Sequence, residues 1–132
     1  MFMLEFVPLI LTGEIVKKRV LALLIVGIVS NINADAFQNA EKACNEGKGR
    51  ECLFVGSWYM SGKHVKQDSV KAAEFFSKAC EFGAAIGCYN LGNMYARGEG
   101  VKHLPGKAKQ LFKKACEGGI ENACYNYKIV NQ

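Results

Sequence analysis

The sequence predicts an all-α protein, a right-handed α/α solenoid of antiparallel helix pairs, from a period and a stripe. The six cysteines stand at 44, 52, 80, 88, 116 and 124, so each pair is eight residues apart and recurs after 36 residues. Sliding the chain by 36 residues also superposes Ala36, Ala72 and Ala108; Ala43, Ala79 and Ala115; and Gly47, Gly83 and Gly119. Self-similarity at a fixed period of this size is the mark of a repeat architecture. Within a copy the apolar residues follow a helix. Ala72, Phe75, Phe76, Ala79 and Cys80 fall at i, i+3, i+4, i+7 and i+8, and Ala108, Leu111, Phe112, Ala115 and Cys116 repeat the stripe. Composition agrees. With 22% charged and 50% hydrophobic residues, the chain is neither a disordered tail nor a polytopic membrane protein. Only 2 prolines in 132 residues exclude a collagen-like or Pro-rich chain.

The N-terminal residues 1–34 read as a leader. Lys17, Lys18 and Arg19 precede the apolar run Val20–Val29, and Ala34 and Ala36 form the small-residue pattern a signal peptidase cuts, after either alanine. The run is far short of the ~20 residues of a spanning helix, so a membrane is met only through an uncleaved leader. Residues before the basic cluster are apolar and carry Glu5 and Glu14, which places the expected start of translation near Ile15 or Val16. Residues 35–132 then form the one repeat domain, two full copies and a third that stops at Gln132. They carry 14 Lys and Arg against 10 Asp and Glu, a net +4 spread without long like-charge blocks. That is a solvated helical surface rather than a basic stripe, and nucleic acid is disfavoured as a partner.

Several helix ends carry stop or start signals. Gly47, Gly83 and Gly119 follow the first cysteine of each pair, and Gly83 ends the second copy's first helix as a residue comfortable at left-handed dihedrals. A second helix carries Cys88, Leu91, Gly92, Tyr95 and Ala96, and Gly98-Glu99-Gly100 stops it. Asp68-Ser69 caps the following helix and Pro105 suits the first turn of the one after. Gly56-x-x-Tyr59 matches Gly92-x-x-Tyr95, whereas Lys128 stands where the third glycine is expected. Small residues at Ala79 and Gly92 are expected to let helices approach beside Phe76 and Tyr95. Trp58, Tyr59 and Phe75 are expected in the core with them. No pair buries its apolar face alone, so the pairs stack. The unfinished third copy is expected to leave an apolar face that a second copy of the chain can cap.

In a helical hairpin the first cysteine ends one helix and the second begins the next, which brings them together. The repeat therefore predicts Cys44–Cys52, Cys80–Cys88 and Cys116–Cys124 among the 15 connectivities that six cysteines allow. An exported chain meets an oxidising compartment, and each short loop closed is worth roughly 2–3 kcal/mol. Structural zinc is the alternative, although its paired cysteines usually have about two to four residues between them, against seven here.

The pattern Ala72-x-x-Phe75-Phe76-x-Lys78-Ala79-Cys80-Glu81-x-Gly83, then Cys88-Tyr89-Asn90-Leu91-Gly92-Asn93-Met94-Tyr95-x-x-Gly98-x-Gly100-Val101, resembles the Sel-one-like repeat family, relatives of tetratricopeptide repeats. Paired cysteines at this period resemble the Helicobacter cysteine-rich protein subfamily. The resemblance covers residues 36–130. It implies a secreted or periplasmic bacterial protein with disulfide-bridged helix pairs, acting as an adaptor for a protein, a peptide or a cell-envelope component. It also implies β-lactams as ligands, since members are described as binding penicillin-like compounds and hydrolysing β-lactams slowly, and some are linked to host immune responses. Members often have more repeats than this chain.

The residues themselves carry no catalytic apparatus. The serine β-lactamase motif Ser-x-x-Lys needs a lysine three residues after the nucleophile. Ser57, Ser61, Ser69 and Ser77 are followed there by Met60, His64, Ala72 and Cys80. The only threonine is Thr12. His64 and His103 sit in loops at non-equivalent repeat positions and read as surface residues. No phosphate-binding glycine loop is present, and neither a cofactor nor a metal is expected. Glu74, Glu81 and Glu117 are the carboxylates available to a groove between stacked helices, though a solvated helix end is their ordinary role. No catalytic residue is assigned. Three functions remain open: a binding module, a slow β-lactam hydrolase, and a secreted immunogenic protein without a dedicated ligand.

Overall fold

The computed structural model describes residues 34–130. The repeats lie within one compact unit that begins at Phe37. The expected leader lies outside the described residues, apart from Ala34, as do the Lys17–Arg19 cluster and the expected start of translation.

The described residues form helices and no strand. Residues 34–45 are helical (α1), followed by α2 (Gly49–Ser61), α3 (Ser69–Glu81), α4 (Ala85–Arg97), α5 (Pro105–Glu117) and α6 (Glu121–Ile129). Consecutive helices pack from α2 to α6, and α2 also touches α4. This is the expected α/α solenoid of three hairpins.

Within each hairpin the same turn recurs. Gly47, Gly83 and Gly119 take left-handed φ angles of 93°, 86° and 92°. The next residue is extended and starts the second helix. Its amide reaches back to the alanine that the 36-residue shift aligns: Lys48 to the Ala43 carbonyl at 3.2 Å, Ala84 to Ala79 at 2.8 Å and Ile120 to Ala115 at 3.0 Å. Such a reach satisfies carbonyls that the helix end would otherwise leave unpaired. Because the turn is constant, the flanking cysteines meet at a constant place. Cys44–Cys52, Cys80–Cys88 and Cys116–Cys124 are disulfides with Cα atoms 4.6 Å apart in each case, and no described cysteine is free.

Between hairpins a second turn recurs. Gly62 and Gly98 cap α2 and α4 with left-handed φ of 70° and 69°. The Asp68 amide then bonds the Tyr59 carbonyl, and the Leu104 amide bonds the equivalent Tyr95 carbonyl. Both helix-start expectations hold. The Asp68 carboxylate accepts from the amides of Val70 and Lys71 at 3.0 Å each, and Pro105 occupies the first turn of α5.

The core runs along the seams between helices. Val55, Tyr59, Phe75, Phe76, Leu91 and Met94 lie in one cluster, and Ala108, Phe112, Ala115 and Ala123 in the next. Trp58 and Tyr95 are only partly buried and pack against its margin. The close approaches differ from the expectation in one respect. A Cβ at Gly92 would lie 2.8 Å from the ring of Phe112, on the following hairpin, rather than beside Phe76 or Tyr95. The equivalent Gly56 meets Phe76 in the same way, also at 2.8 Å. Each glycine is thus a socket for the phenylalanine 20 residues later. Ala79 does allow a close approach, but within its own hairpin, where a Cβ at Gly87 would fall 2.6 Å from the Ala79 Cβ. The third copy has Lys128 in the socket position, and it is exposed.

Candidate functional site: a groove between alternate helices

The contact between α2 and α4 leaves a furrow above the ring of Phe76, a groove of about 450 Å³. Its floor is apolar, from Met60 of α2, Phe76 of α3 and Met94 of α4. Phe76 and Met94 are 2% exposed, so the floor is set by the same packing that seats Phe76 on Gly56. One wall is a polar row on α4, Asn90, Asn93 and Arg97, at i, i+3 and i+7 on one face. Ser57 faces it from α2, and Glu99 stands at the end. The groove therefore joins residues of two hairpins and crosses a repeat boundary.

Among the described residues, no hydrogen bond engages the side chain of Asn90 or Asn93. The ion pairs among the same residues are Lys48–Glu46, Lys78–Glu74 and Lys113–Glu117, and Arg97 belongs to none of them. The row thus presents two carboxamides, each able to donate and accept, and a guanidinium with its donors open. Ser57 is not primed as a nucleophile. Its hydroxyl donates to the Leu53 carbonyl at 2.8 Å, one turn back in its own helix.

A second hollow is apolar. Leu53, Phe54, Ala84, Ile86 and Ile120 surround about 440 Å³ near the hairpin turns. Phe54 and Ile86 are 44% and 48% exposed there, and the Arg50 guanidinium lies 5.6 Å from the Phe54 ring centroid.

The candidate residues of the sequence are dispersed. The six cysteines brace the turns and do not line the polar groove. His64 and His103 are exposed in separate loops, and the His64 ring meets Trp58 edge-on at 5.3 Å. Glu74 pairs with Lys78 at 3.1 Å, and Glu81 accepts from the Ser77 hydroxyl at 3.1 Å. Glu117 pairs with Lys113 and edges a small hollow beside Cys80–Cys88. The polar groove uses none of these three carboxylates; the one it has is Glu99. Asn90 and Asn93 enter the sequence expectations only as members of the repeat pattern, with no site role, and Arg97 does not enter them. Their one signal is spacing, a polar row beside the apolar stripe of Cys88, Leu91 and Tyr95. Among the described residues no group of three or more His, Cys, Asp or Glu is placed to hold a metal ion. None of the described helices is long and apolar enough to cross a membrane.

Comparison with known proteins agrees with this architecture. The model of the Sel1 repeat matches residues 52–81 and 85–120. Helicobacter pylori cysteine rich protein B is 43% identical with a TM-score of 0.65, over 67% of this chain and 66% of that one. A Sel1 repeat protein from Oxalobacter formigenes is 27% identical with a TM-score of 0.65, over 67% of each chain. A protective antigen of uropathogenic Escherichia coli strains that displays an SLR fold shares the fold, at 24% identity and a TM-score of 0.69 over 71% of this chain. The chain spans about two thirds of the first two and 20% of the third. A search of curated proteins finds no match. With half of its residues matched by the repeat model, and with the paired cysteines joined within each hairpin, the chain belongs to the Sel1 repeat family.

Proposed function

We propose that the chain is an exported, disulfide-braced scaffold that binds a protein or peptide along the groove between α2 and α4. The observation that carries this reading is the groove's polar row, Asn90, Asn93 and Arg97, above an apolar floor. A groove shared by two hairpins suits an extended ligand, because stacked repeats present one continuous surface. Sites that combine an apolar lining with a few placed polar groups are the usual form of a binding pocket.

Export is supported by the pairing of all six cysteines, since such bonds persist in oxidising compartments. Periplasmic or extracellular residence follows from this reading. N-terminal sequencing of the protein recovered from the periplasm or medium of a Gram-negative host is expected to begin at Asp35 or Phe37. Recovery of the intact chain from the cytoplasm alone contradicts export.

The binding claim is tested by selecting a phage-displayed random peptide library on the oxidised protein and on Asn93→Arg, which fills the groove with a longer side chain. Circular dichroism checks that the variant is folded. Peptides retained by the parent and lost on the variant are expected. No enrichment, or equal retention by both proteins, contradicts the groove reading.

A further inference from the structure

We infer that the edge of the solenoid formed by the junctions between hairpins binds a linear acidic polysaccharide, whose anionic groups meet lysines that recur with the repeat. This goes beyond the groove and does not depend on it.

The edge follows from topology. Successive helices run antiparallel, so the α2–α3 and α4–α5 junctions lie at one end of the hairpins and the disulfide-braced turns at the other. The junctions abut, since a side chain at Gly100 would collide with the carbonyl of Ser69 at the start of α3. Together they gather charge that the sequence scatters. Residues 61–71 and 97–107 carry Lys63, Lys66, Lys71, Arg97, Lys102 and Lys107 against Asp68 and Glu99, a net +4. That is the whole net charge of residues 35–132, whose other charged side chains balance eight against eight. All six cations are exposed, and both carboxylates are half-buried. Asp68 is committed to the amides of Val70 and Lys71. The ion pairs among the described residues involve none of these eight side chains. An edge with so little internal neutralisation attracts anions.

The order of the charges points to a polymer. Lys66 and Lys102 are equivalent under the 36-residue shift, and so are Lys71 and Lys107. Lys71 lies over the Tyr59 ring, 5.2 Å from its centroid, and Lys107 over the Tyr95 ring at 4.5 Å. The same ammonium is thus held at the same place in each junction. In the first junction, Lys66 and Lys71 border a hollow of about 570 Å³. A chain with anionic groups at regular intervals meets this pattern twice. The rest of the surface narrows the class. Tyr59 stacks on Phe75 and carries Lys71, and Tyr95 packs against both core clusters and carries Lys107, so neither offers an open face to a nucleobase. The exposed large apolar side chains of the two segments are Val70 and Leu104. Two such side chains are too little for the apolar core of a protein interface or for seating in a bilayer. An acidic polysaccharide needs neither an apolar face nor a stacking platform.

The test measures binding of the oxidised protein to size-defined heparin by calorimetry, beside neutral dextran, phosphatidylglycerol vesicles and a single-stranded oligonucleotide. Heparin is expected to bind about tenfold or more tightly than vesicles or oligonucleotide, compared per anionic group, and dextran not at all. Its affinity is expected to fall about tenfold or more between ~50 and ~200 mM salt. Lys66→Gln/Lys102→Gln is expected to weaken heparin binding about tenfold or more. Lys48→Gln/Lys114→Gln removes the same charge from exposed lysines outside the edge and is expected to change affinity less than about threefold. Circular dichroism checks that both variants are folded. Equal weakening by the two double variants means diffuse attraction and overturns the edge. Vesicles or oligonucleotide bound as tightly as heparin overturn the polysaccharide assignment. No binding of heparin at low salt overturns the inference entirely. Lys66 and Lys102 do not line the groove between α2 and α4, so each of these results leaves the groove reading as it stands.

Discussion

The second and third hairpins share a turn, a disulfide and a phenylalanine stripe, yet the structure treats them differently. In the second, α4 is enclosed by α3 and α5, and Cys80 and Cys88 are 4% and 1% exposed. In the third, α6 packs against α5, and Cys116 and Cys124 are only partly buried. Tyr89 packs on Phe112 with ring centroids 6.0 Å apart, whereas its equivalent Tyr125 is 66% exposed. Asn93 lines the polar groove, and its equivalent Ile129 lies 47% exposed. One repeat pattern therefore gives two environments, set by whether a following helix is packed against the second helix of the pair. Helical stability here is tertiary: faces shared with α3 and α5 hold α4, whereas α6 shares a face with α5 and is tied to it by Cys116–Cys124.

The largest expected contrast is between aromatic rings. Phe76→Ala removes a ring seated on Gly56 and is expected to cost about 3–5 kcal/mol in chemical denaturation. Tyr125→Ala is expected to stay within ~0.5 kcal/mol. Equal losses would mean that α6 has a packing partner comparable to that of α4.

The sockets give the next contrast. Gly92→Val drives a side chain into the Phe112 ring and is expected to cost about 1–3 kcal/mol by overpacking. Lys128→Val, at the position without a phenylalanine to receive, is expected to cost less than ~1 kcal/mol, mainly through helix propensity. A neutral Gly92→Val would remove the reason given for this glycine.

A third contrast is chemical. Thiolate attack needs access to a sulfur, so stepwise reduction is expected to open Cys116–Cys124 before the two buried bridges. Alkylation followed by peptide mass mapping reads the order, and early labelling of Cys80 or Cys88 contradicts it.

Smaller still is the difference between helix starts. Asp68→Ala loses two capping bonds, with an expected cost of ~1 kcal/mol. Leu104→Asp supplies the missing cap of α5 at a 44% exposed position and is expected to gain a few tenths of a kcal/mol. The last expectation is a null effect. Chromogenic β-lactam turnover by the oxidised protein is expected to equal that of a reduced and alkylated control, since the Ser57 hydroxyl is committed to a backbone carbonyl and has no activating lysine at i+3.

The fold was legible because its causes are local and repeated. The turn glycines, the paired cysteines and the i, i+3, i+4 stripe each act within one hairpin, and each occurs more than once in register. The groove was less legible because it joins two hairpins. Asn90, Asn93 and Arg97 read alone as the solvated face of α4. Only the placement of Met60 and Ser57 of α2 opposite them makes a site. The partner of Gly92 escaped the sequence for the same reason: a contact to a residue 20 positions later has no signature in a helical period. The Asp68 cap and Pro105 were legible because capping is a property of a few adjacent residues.

Peptide binding in the groove between α2 and α4 is read residue by residue in NMR spectra of the oxidised, isotope-labelled protein titrated with a hexapeptide pool. Shifts are expected to concentrate at the side-chain amides of Asn90 and Asn93, the Arg97 guanidinium, and the methyls of Met60 and Met94. Shifts confined to the apolar hollow around Phe54 and Ile86, or none at saturating peptide, would mean that the groove is not the binding face.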